Sequence, residues 1–522
     1  MPPTEVVIRL AGELPLWLGR STRKAKEIGM GDEVASTTYT REDRRRYREK
    51  VRLDLDVFGR MLSQSVFDYE RPLIGMEIEL NLVDEGYQPR MTNAEVLERI
   101  ADPAFQTEIG QYNIELNVDP RSLPGDAAME LEDDLRRSLN RAETLANETG
   151  AHIVTIGILP TVMPEHLHAG SMSTSLRYVA LNEAMVTARG EDMFIDIDGI
   201  SGEHLAMYAD SIAPESACTS VQLHLQVAPQ EFATYWNGAQ ALSGLQLAVG
   251  ANSPYFCGKR LWHETRVELF NQATDTRPIE LKNQGVRPRV FFGERWITSV
   301  FDLFEENVRY FPALLPETTD EDPVATLEAG NAPRLSELRL HNGTVYRWNR
   351  PIYDLADGGP HLRVENRVLP AGPTIIDTMA NAAFYYGLLR TIALEDRPIW
   401  TRMTFADAER NFLTCAQNGI GARVHWPGFG EVPADELVLR HLLPMADEGL
   451  RHWGVSTAVR DRYLGVIEGR CTSGINGATW QIDAVDRLEA RGADRATALT
   501  SMLEHYVRAM HTNEPVHTWS LP

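Results

Sequence analysis

The sequence predicts an α+β fold in which a few two-faced strands sit among long helices. Period-2 alternation of apolar and polar residues occurs in four separated segments: LIGMEIELNLV (73–83), NIELNVDP (113–120), TSVQLHLQV (219–227) and HLRVENRVLP (361–370). Such alternation marks a strand whose two sides meet different surroundings. The segments between them carry apolar residues at helical spacing. From about residue 400 onward no alternation of comparable clarity appears, so that region reads as helical.

Residues 1–37 show no clear pattern. Residues 39–64 read as a charged helix with Val51, Leu55, Phe58 and Leu62 as its apolar stripe. Its arginines (Arg41, Arg44, Arg45, Arg46 and Arg48) read as a solvated face, with an anion site as the alternative. After Arg71-Pro72 the first strand puts Met76, Ile78, Leu80 and Leu82 on one side and Glu77, Glu79 and Asn81 on the other. A helical piece follows near 93–100. The second strand places Ile114, Leu116 and Val118 inward and Glu115, Asn117 and Asp119 opposite. Residues 127–149 form a helix stopped by Gly150. HIVTIGILP (152–160) reads as a buried strand and 174–185 as a helix. The third alternating strand opposes Val221, Leu223, Leu225 and Val227 to Gln222, His224 and Gln226. A helix-rich stretch covers 230–250, and PETTDEDP (316–323) reads as an acidic surface loop. The fourth strand opposes Leu362, Val364 and Val368 to Arg363, Glu365 and Arg367, with Asn366 the exception on the apolar side. A helix follows, with Pro373 near its start and Thr374 or Asp377 as cap.

With 74 acidic and 51 basic residues, the chain has a formal charge of −23. That balance argues against a chain-wide nucleic-acid or anionic-membrane surface, which needs clustered Lys and Arg. The best apolar run, TIIDTMANAAFYYGLL, is short and contains Asp377 and Asn381, so no membrane span is expected. The N-terminus lacks the apolar core of a secretory signal. Cys218, Cys257, Cys415 and Cys471 are too scattered for a disulfide framework or a zinc site, and read as buried structural thiols. A reducing, cytoplasmic setting is expected.

The chemistry lies on the polar strand faces. Glu77 and Glu79, two apart on one strand, leave the same face about 7 Å apart. Glu115 repeats the pattern, and Glu365 sits between Arg363 and Arg367. Carboxylates are uncommon on solvated strands. If the strands share a sheet, the acids crowd one surface, and divalent cations would relieve the repulsion. Oxygen-rich donors suit Mg²⁺ or Mn²⁺. A merely solvated face is the alternative. The two arginines beside Glu365 point to an anion shared with metal, best a polyphosphate; a structural Arg–Glu–Arg ladder is the alternative. Metals and guanidinium together are what phosphoryl transfer needs. The chain has no P-loop, no GxGxxG after a strand and no HExxH, GxSxG or kinase signature. His166 and His168, in a Gly-flanked loop, read as unrelated to a metal.

The strings GMEIEL, EIGQYNIELN, SVQLHLQV, NGTVYRWNRPIYD and HLRVENRVLPAGPT occur in this order over roughly residues 70–400. In them the chain resembles the glutamate–cysteine ligase type 2 family of carboxylate–amine ligases. The E-x-E and R-x-E-x-R strands are the more specific parts. The resemblance implies a glutamine synthetase-like catalytic unit: a curved antiparallel sheet with helices on its outer face, binding ATP and Mg²⁺ (or Mn²⁺) on the concave face. It implies Glu77, Glu79, Glu108, Glu115, His224 and Glu365 as metal ligands. Arg367 would meet the terminal phosphate, with Arg363 beside the nucleotide. Glu365 and Arg367 together would be the catalytic pair. Arg347 and Arg350 are expected to grip the substrate α-carboxylate, on charge logic more than on motif. The implied organisation is an N-terminal extension (1–70), a ligase domain (71–400) and a helical C-terminal region (401–522) packed on it. The implied reaction joins glutamate to an amine, cysteine by default, through an acyl phosphate. A different acid or amine, an ATP phosphotransferase and a non-catalytic nucleotide-binding regulator stay open as alternatives. The partners expected are small molecules; the oligomeric state is not legible.

Overall fold

The structure, a computed structural model, describes residue 36 and residues 38–68, 72–356 and 359–522. Residues 1–35, read above as patternless, and the Arg71 boundary lie outside the described residues.

Seven strands form one curved antiparallel sheet. Its order runs Asn349–Ala356, Gly359–Asn366, Val221–Gln226, Ile74–Val83, Asn113–Arg121, Phe105–Thr107, with His152–Val154 pairing the far end of Ile74–Val83. All four alternating segments are strands of this sheet, and the period-2 pattern tells its two faces apart. Met76, Ile78, Leu80, Ile114, Leu116, Leu223, Leu225, Leu362 and Val364 are buried in one continuous core. Each such side chain contributes about 1.5–3 kcal/mol of burial.

Two long helices, Phe232–Gly250 and Ile375–Leu394, cover that apolar face. Both are buried nearly all round, as expected of helices without a polar side. Tyr386 donates its hydroxyl to the carbonyl of His224 at 3.0 Å, tying the second helix to the sheet. Asn366, the exception in the pattern, is satisfied inside this layer. It donates to Asn349 at 2.7 Å and exchanges hydrogen bonds with Gln246. Thr374 caps the helix by accepting from the Asp377 N–H.

The charged helix forms at Arg41–Gln64, opened by a Thr40/Asp43 capping box. Tyr47, Val51, Phe58 and Met61 bury its apolar side. Its arginines stay solvated, as with Arg45 between Glu42 and Glu49. The acidic loop 316–323 is not a free excursion. It folds back onto this helix, where Lys50 donates to the Thr319 carbonyl and Tyr39 to Glu317 at 2.8 Å.

After residue 400 the chain is mainly helical, with one exception: a hairpin of Arg423–Trp426 and Gly430–Pro433. Three other readings change. HIVTIGILP is a strand only over His152–Val154; residues 155–160 remain buried but leave the ladder. A second hairpin, Met193–Asp198 with His204–Ala209, and the strand Asn349–Ala356 were not expected. The last tolerates Pro351 because it is an edge strand.

The C-terminal helices are anchored by a buried ion pair. Arg470, on helix Thr457–Ser473, donates to Asp377 at 2.7 Å and to Asn381 at 2.6 Å. Both side chains are almost wholly inaccessible, at 1% and 0%. Replacing Asp377 with Ala strands the guanidinium, and is expected to cost about 3–5 kcal/mol. A shifted denaturant midpoint at constant m-value would report it; an unmoved midpoint would show the pair to be dispensable.

Candidate active site

The polar strand faces border a cavity of about 340 Å³. Antiparallel register sets the acids against one another. Glu79 lies across from Glu115, Glu77 across from Gln222, and Glu365 across from both His224 and Arg350. Glu77, Glu79, Glu108, Glu115, Arg347, Arg350, Glu365 and Arg367 all line the cavity.

Their bonding separates them into groups. One ligating atom each of Glu77, His224 and Glu365 lies within 4.8 Å of the others. His224 Nε2 stands 3.1 Å from Glu77 Oε1, yet it has no aligned hydrogen bond among the described residues. Glu79 accepts from the Ser220 N–H at 2.6 Å and from Gln222 at 3.0 Å. Gln222 in turn accepts from Arg367, so one side chain spaces Glu79 from the arginine. Glu115 accepts from Asn117 at 2.9 Å, and Glu108 from the Ile109 N–H at 3.2 Å.

The arginines are placed differently from expectation. Arg350 forks onto Glu365, with Nη2 to Oε1 at 2.8 Å and Nε to Oε2, and so is engaged by a protein carboxylate. Arg347 is held by Glu306 at 2.7 Å and by Asn307, although its Nη1 atom has no partner among the described residues. Arg347 ends the two-residue strand Tyr346–Arg347, and Arg350 lies on the strand Asn349–Ala356. Arg363 stands behind His224 instead of on the cavity wall. Its Nε donates to His224 Nδ1 at 3.1 Å and its Nη1 to Asp354 at 3.1 Å. Outside the site, His166 and His168 each accept a local backbone N–H.

The electrostatics follow from crowding. Burial drives the Glu115 carboxyl far above its usual range, reinforced by Glu77, Glu108 and Glu79. Burial, then Glu79, lifts Glu108 to about 7. Burial also lifts Glu79, against the pull of Arg367 and Arg266. Two carboxyls go the other way. Burial opposes ionisation of Glu77, but His224 outweighs it; for Glu365, Arg350 and Arg367 outweigh it. Arg367 is held firmly charged: burial disfavours its charge, but Glu365, Glu79 and Glu77 more than compensate.

Several wall residues have no period-2 signal and were not anticipated. Glu215 is on the short turn Ala213–Ala217, and Arg177 begins the helix Leu176–Arg189. Arg266 is paired with Glu264 at 3.0 Å. It donates to the carbonyls of Val368 and Arg367, fixing the chain where the fourth strand ends. Cys218 also lines the cavity. Adjacency to a strand was the one available hint for Glu215 and Cys218.

A family model described as glutamate–cysteine ligase family 2 (GCS2) matches residues 73–500. The chain belongs to this family. Membership makes it a ligase of the ATP-dependent carboxylate–amine kind. Among solved structures, this GCS2 member is similar to a glutamate–cysteine ligase from Francisella tularensis determined in complex with AMP. The identity is 12% and the TM-score 0.53, over 87% of this chain and 91% of that one. That likeness establishes a shared fold. A bifunctional glutathione synthetase from Pasteurella multocida aligns at 12% identity and TM-score 0.46, over 88% of this chain and 55% of that one. A complex of the prokaryotic ubiquitin-like protein Pup with its ligase PafA aligns at 12% and 0.32, over 83% and 72%. No curated protein matches the sequence. Among the described residues, no helix is long and apolar enough to cross a membrane.

The raised carboxyls make the metal-free protein pH-sensitive in a defined direction. A carboxyl whose folded-state affinity for a proton exceeds its unfolded value stabilises the fold while protonated. That stability is complete below about pH 4 and is lost as pH rises through the folded-state values, which lie at about 7 for Glu108 and about 8 for Glu215. In EDTA the melting temperature is therefore expected to fall from pH 5 to pH 8, at about 1.4 kcal/mol per pH unit for each extra proton held. Added Mg²⁺ should restore it most at the alkaline end. A melting temperature that rises over that interval, or ignores Mg²⁺, would contradict the crowding.

Proposed function

We propose that the chain forms a γ-glutamyl amide from glutamate and an amine, with cysteine as the default amine, at the expense of ATP. The observation that carries this is the convergence of Glu77, Glu365 and Arg367 at one acid-lined cavity, with a ligating atom of His224 within 4.8 Å of those of Glu77 and Glu365. In this reading the γ-carboxylate takes the terminal phosphoryl group of ATP, and the resulting acyl phosphate is attacked by the amine, releasing phosphate. No protein nucleophile is needed; positioning and charge neutralisation do the catalysis.

The donor set fits divalent cations. It is oxygen-rich, and several of its carboxyls are pushed toward protonation by burial and, for Glu108 and Glu115, by the neighbouring acids. Glu77, Glu79, Glu108, Glu115 and Glu365 would hold Mg²⁺ or Mn²⁺. His224 would join through Nε2 only once Arg363 releases Nδ1, because a ligating ring nitrogen carries no proton. Bound there, the ions would supply neutralisation of the phosphate oxygens. Arg367, kept in place by Gln222 and charged by its acidic neighbours, would stabilise the phosphoryl group in transfer. Arg350 would orient Glu365. Arg347, whose buried Nη1 has no partner among the described residues, would turn it to a substrate carboxylate. Arg363, expected beside the nucleotide, would instead hold the unligated form of His224 through Nδ1 and give it up when a metal enters.

Mass spectrometry of products from ATP, Mg²⁺, glutamate and mixed amino acids tests this. A γ-glutamyl dipeptide with free phosphate is the expected result. A stable phosphorylated product without free phosphate would make the chain a phosphotransferase. ATP binding without turnover for any acceptor would make it a regulator.

A further inference from the structure

Glu215 is the one wall carboxylate with no hydrogen bond or ion pair among the described residues. It is 9% exposed and lines the cavity. Its Oε2 atom is fully shielded and has no partner. An unpaired buried carboxylate is costly, and a structural role does not account for it, since it braces nothing. The turn that carries it is deliberately placed. Ser216 is bonded to the Ala213 carbonyl at 2.7 Å and to Tyr112 at 3.1 Å. Gly110 makes room for it, because a Cβ there would lie 2.9 Å from Ser216. Glu215 shares the cavity wall with Arg367, Glu108 and Glu79 but, unlike Glu77, Glu79, Glu115 and Glu365, is not carried on a strand.

We propose that Glu215 receives the incoming amine and takes its proton, a step that rests on the ligase reading above. Amino-acid amines arrive as ammonium ions, which cannot attack. As the ammonium ion binds beside it, the Glu215 carboxyl gives its own proton to solvent; one N–H proton then passes to the resulting carboxylate, leaving the nitrogen lone pair free. The lone pair attacks the acyl carbon and the C–N bond forms. The C–O bond to phosphate breaks, and its electron pair leaves with phosphate. The second nitrogen proton leaves on the phosphate oxygen, and Glu215 returns its proton to solvent. Burial lifts the Glu215 carboxyl to about 8, with Arg367 opposing and Glu108 and Glu79 adding. A base of that affinity is matched to proton transfer near neutral pH.

Hydroxylamine provides the test, since it is already unprotonated near neutral pH and needs no base. The unsubstituted protein and the Glu215→Gln and Glu215→Asp variants would be given ATP, Mg²⁺ and glutamate, with either hydroxylamine or the mixed amino acids. In Glu215→Gln, amide formation with amino acids is expected to fall by about 10²–10⁴-fold, while hydroxamate formation persists within about tenfold. Glu215→Asp should recover part of the amide rate. The ratio of the two rates is independent of how much of each variant folds. Equal loss of both would place Glu215 in phosphoryl transfer, and loss of neither would leave it without a role; each result overturns the proposal. Absence of hydroxamate from the unsubstituted protein would instead overturn the ligase reading, and this step with it.

Discussion

Replacing Glu77 with Gln is expected to lower glutamate-dependent ADP release by about 10³-fold or more while leaving the fold intact. Glu77 extends from the middle of the sheet to within 3.1 Å of His224, and His224 holds its carboxyl below the ordinary range against the effect of burial. Of the two wall acids kept ionised, it is the one that no arginine already holds, since Glu365 is forked by Arg350. Gln has the same shape but offers a neutral oxygen, and losing one group of a preorganised charge-stabilising set costs on the order of 10²–10³ or more. The fold should not suffer, because one negative charge leaves a crowd of them. Near-normal turnover would remove Glu77 from the mechanism. Glu365→Gln is a different case. It should abolish turnover too, but it also strips Arg350 of its forked partner in a buried setting, so its melting temperature should drop.

Substituting Arg367 has the second largest expected effect. Its guanidinium reaches Gln222 and lies 3.6 Å from Glu365, with acids on several sides keeping it charged. A positive group aimed at a transferring phosphoryl is worth about 10³–10⁵ in rate. Arg367→Ala is expected to lose that amount in kcat with a smaller change in KM for glutamate. Arg367→Lys should fall between, since it keeps the charge but not the planar fork that serves Gln222 and a phosphate together. Steady-state ADP release separates the cases, and an Arg367→Ala enzyme within tenfold of the unsubstituted rate would refute the assignment.

The strands that shape the site were legible because each must be apolar toward the buried core and polar toward the cavity, and period 2 writes that demand directly into the chain. The edge strand Asn349–Ala356 was opaque. Its residues from Asn349 through Tyr353 are all buried, so it has no solvent side to alternate with, and Pro351 reads as a break. The hairpin at Met193 does alternate, but it is short and lies outside the sheet. HIVTIGILP shows the limit of apolar runs: residues 155–160 are buried whether or not they pair. At the site, carboxylates on strands announced themselves by composition, whereas Glu215 and Arg177 are on a turn and a helix start, where only tertiary placement gives them meaning. The arginines were visible as charges, but their partners were not. Glu365 for Arg350, Glu306 for Arg347 and His224 for Arg363 are contacts that spacing alone does not specify.

The most direct measurement is anomalous scattering from Mn²⁺ in crystals grown with glutamate and a non-hydrolysable ATP analogue. Mn²⁺ peaks directly ligated by Glu77 and its neighbouring strand carboxylates are expected, with the triphosphate between those ions and Arg367. A nucleotide bound elsewhere on the molecule, or a cavity holding the analogue with no metal touching Glu77, Glu115 or Glu365, would contradict this arrangement.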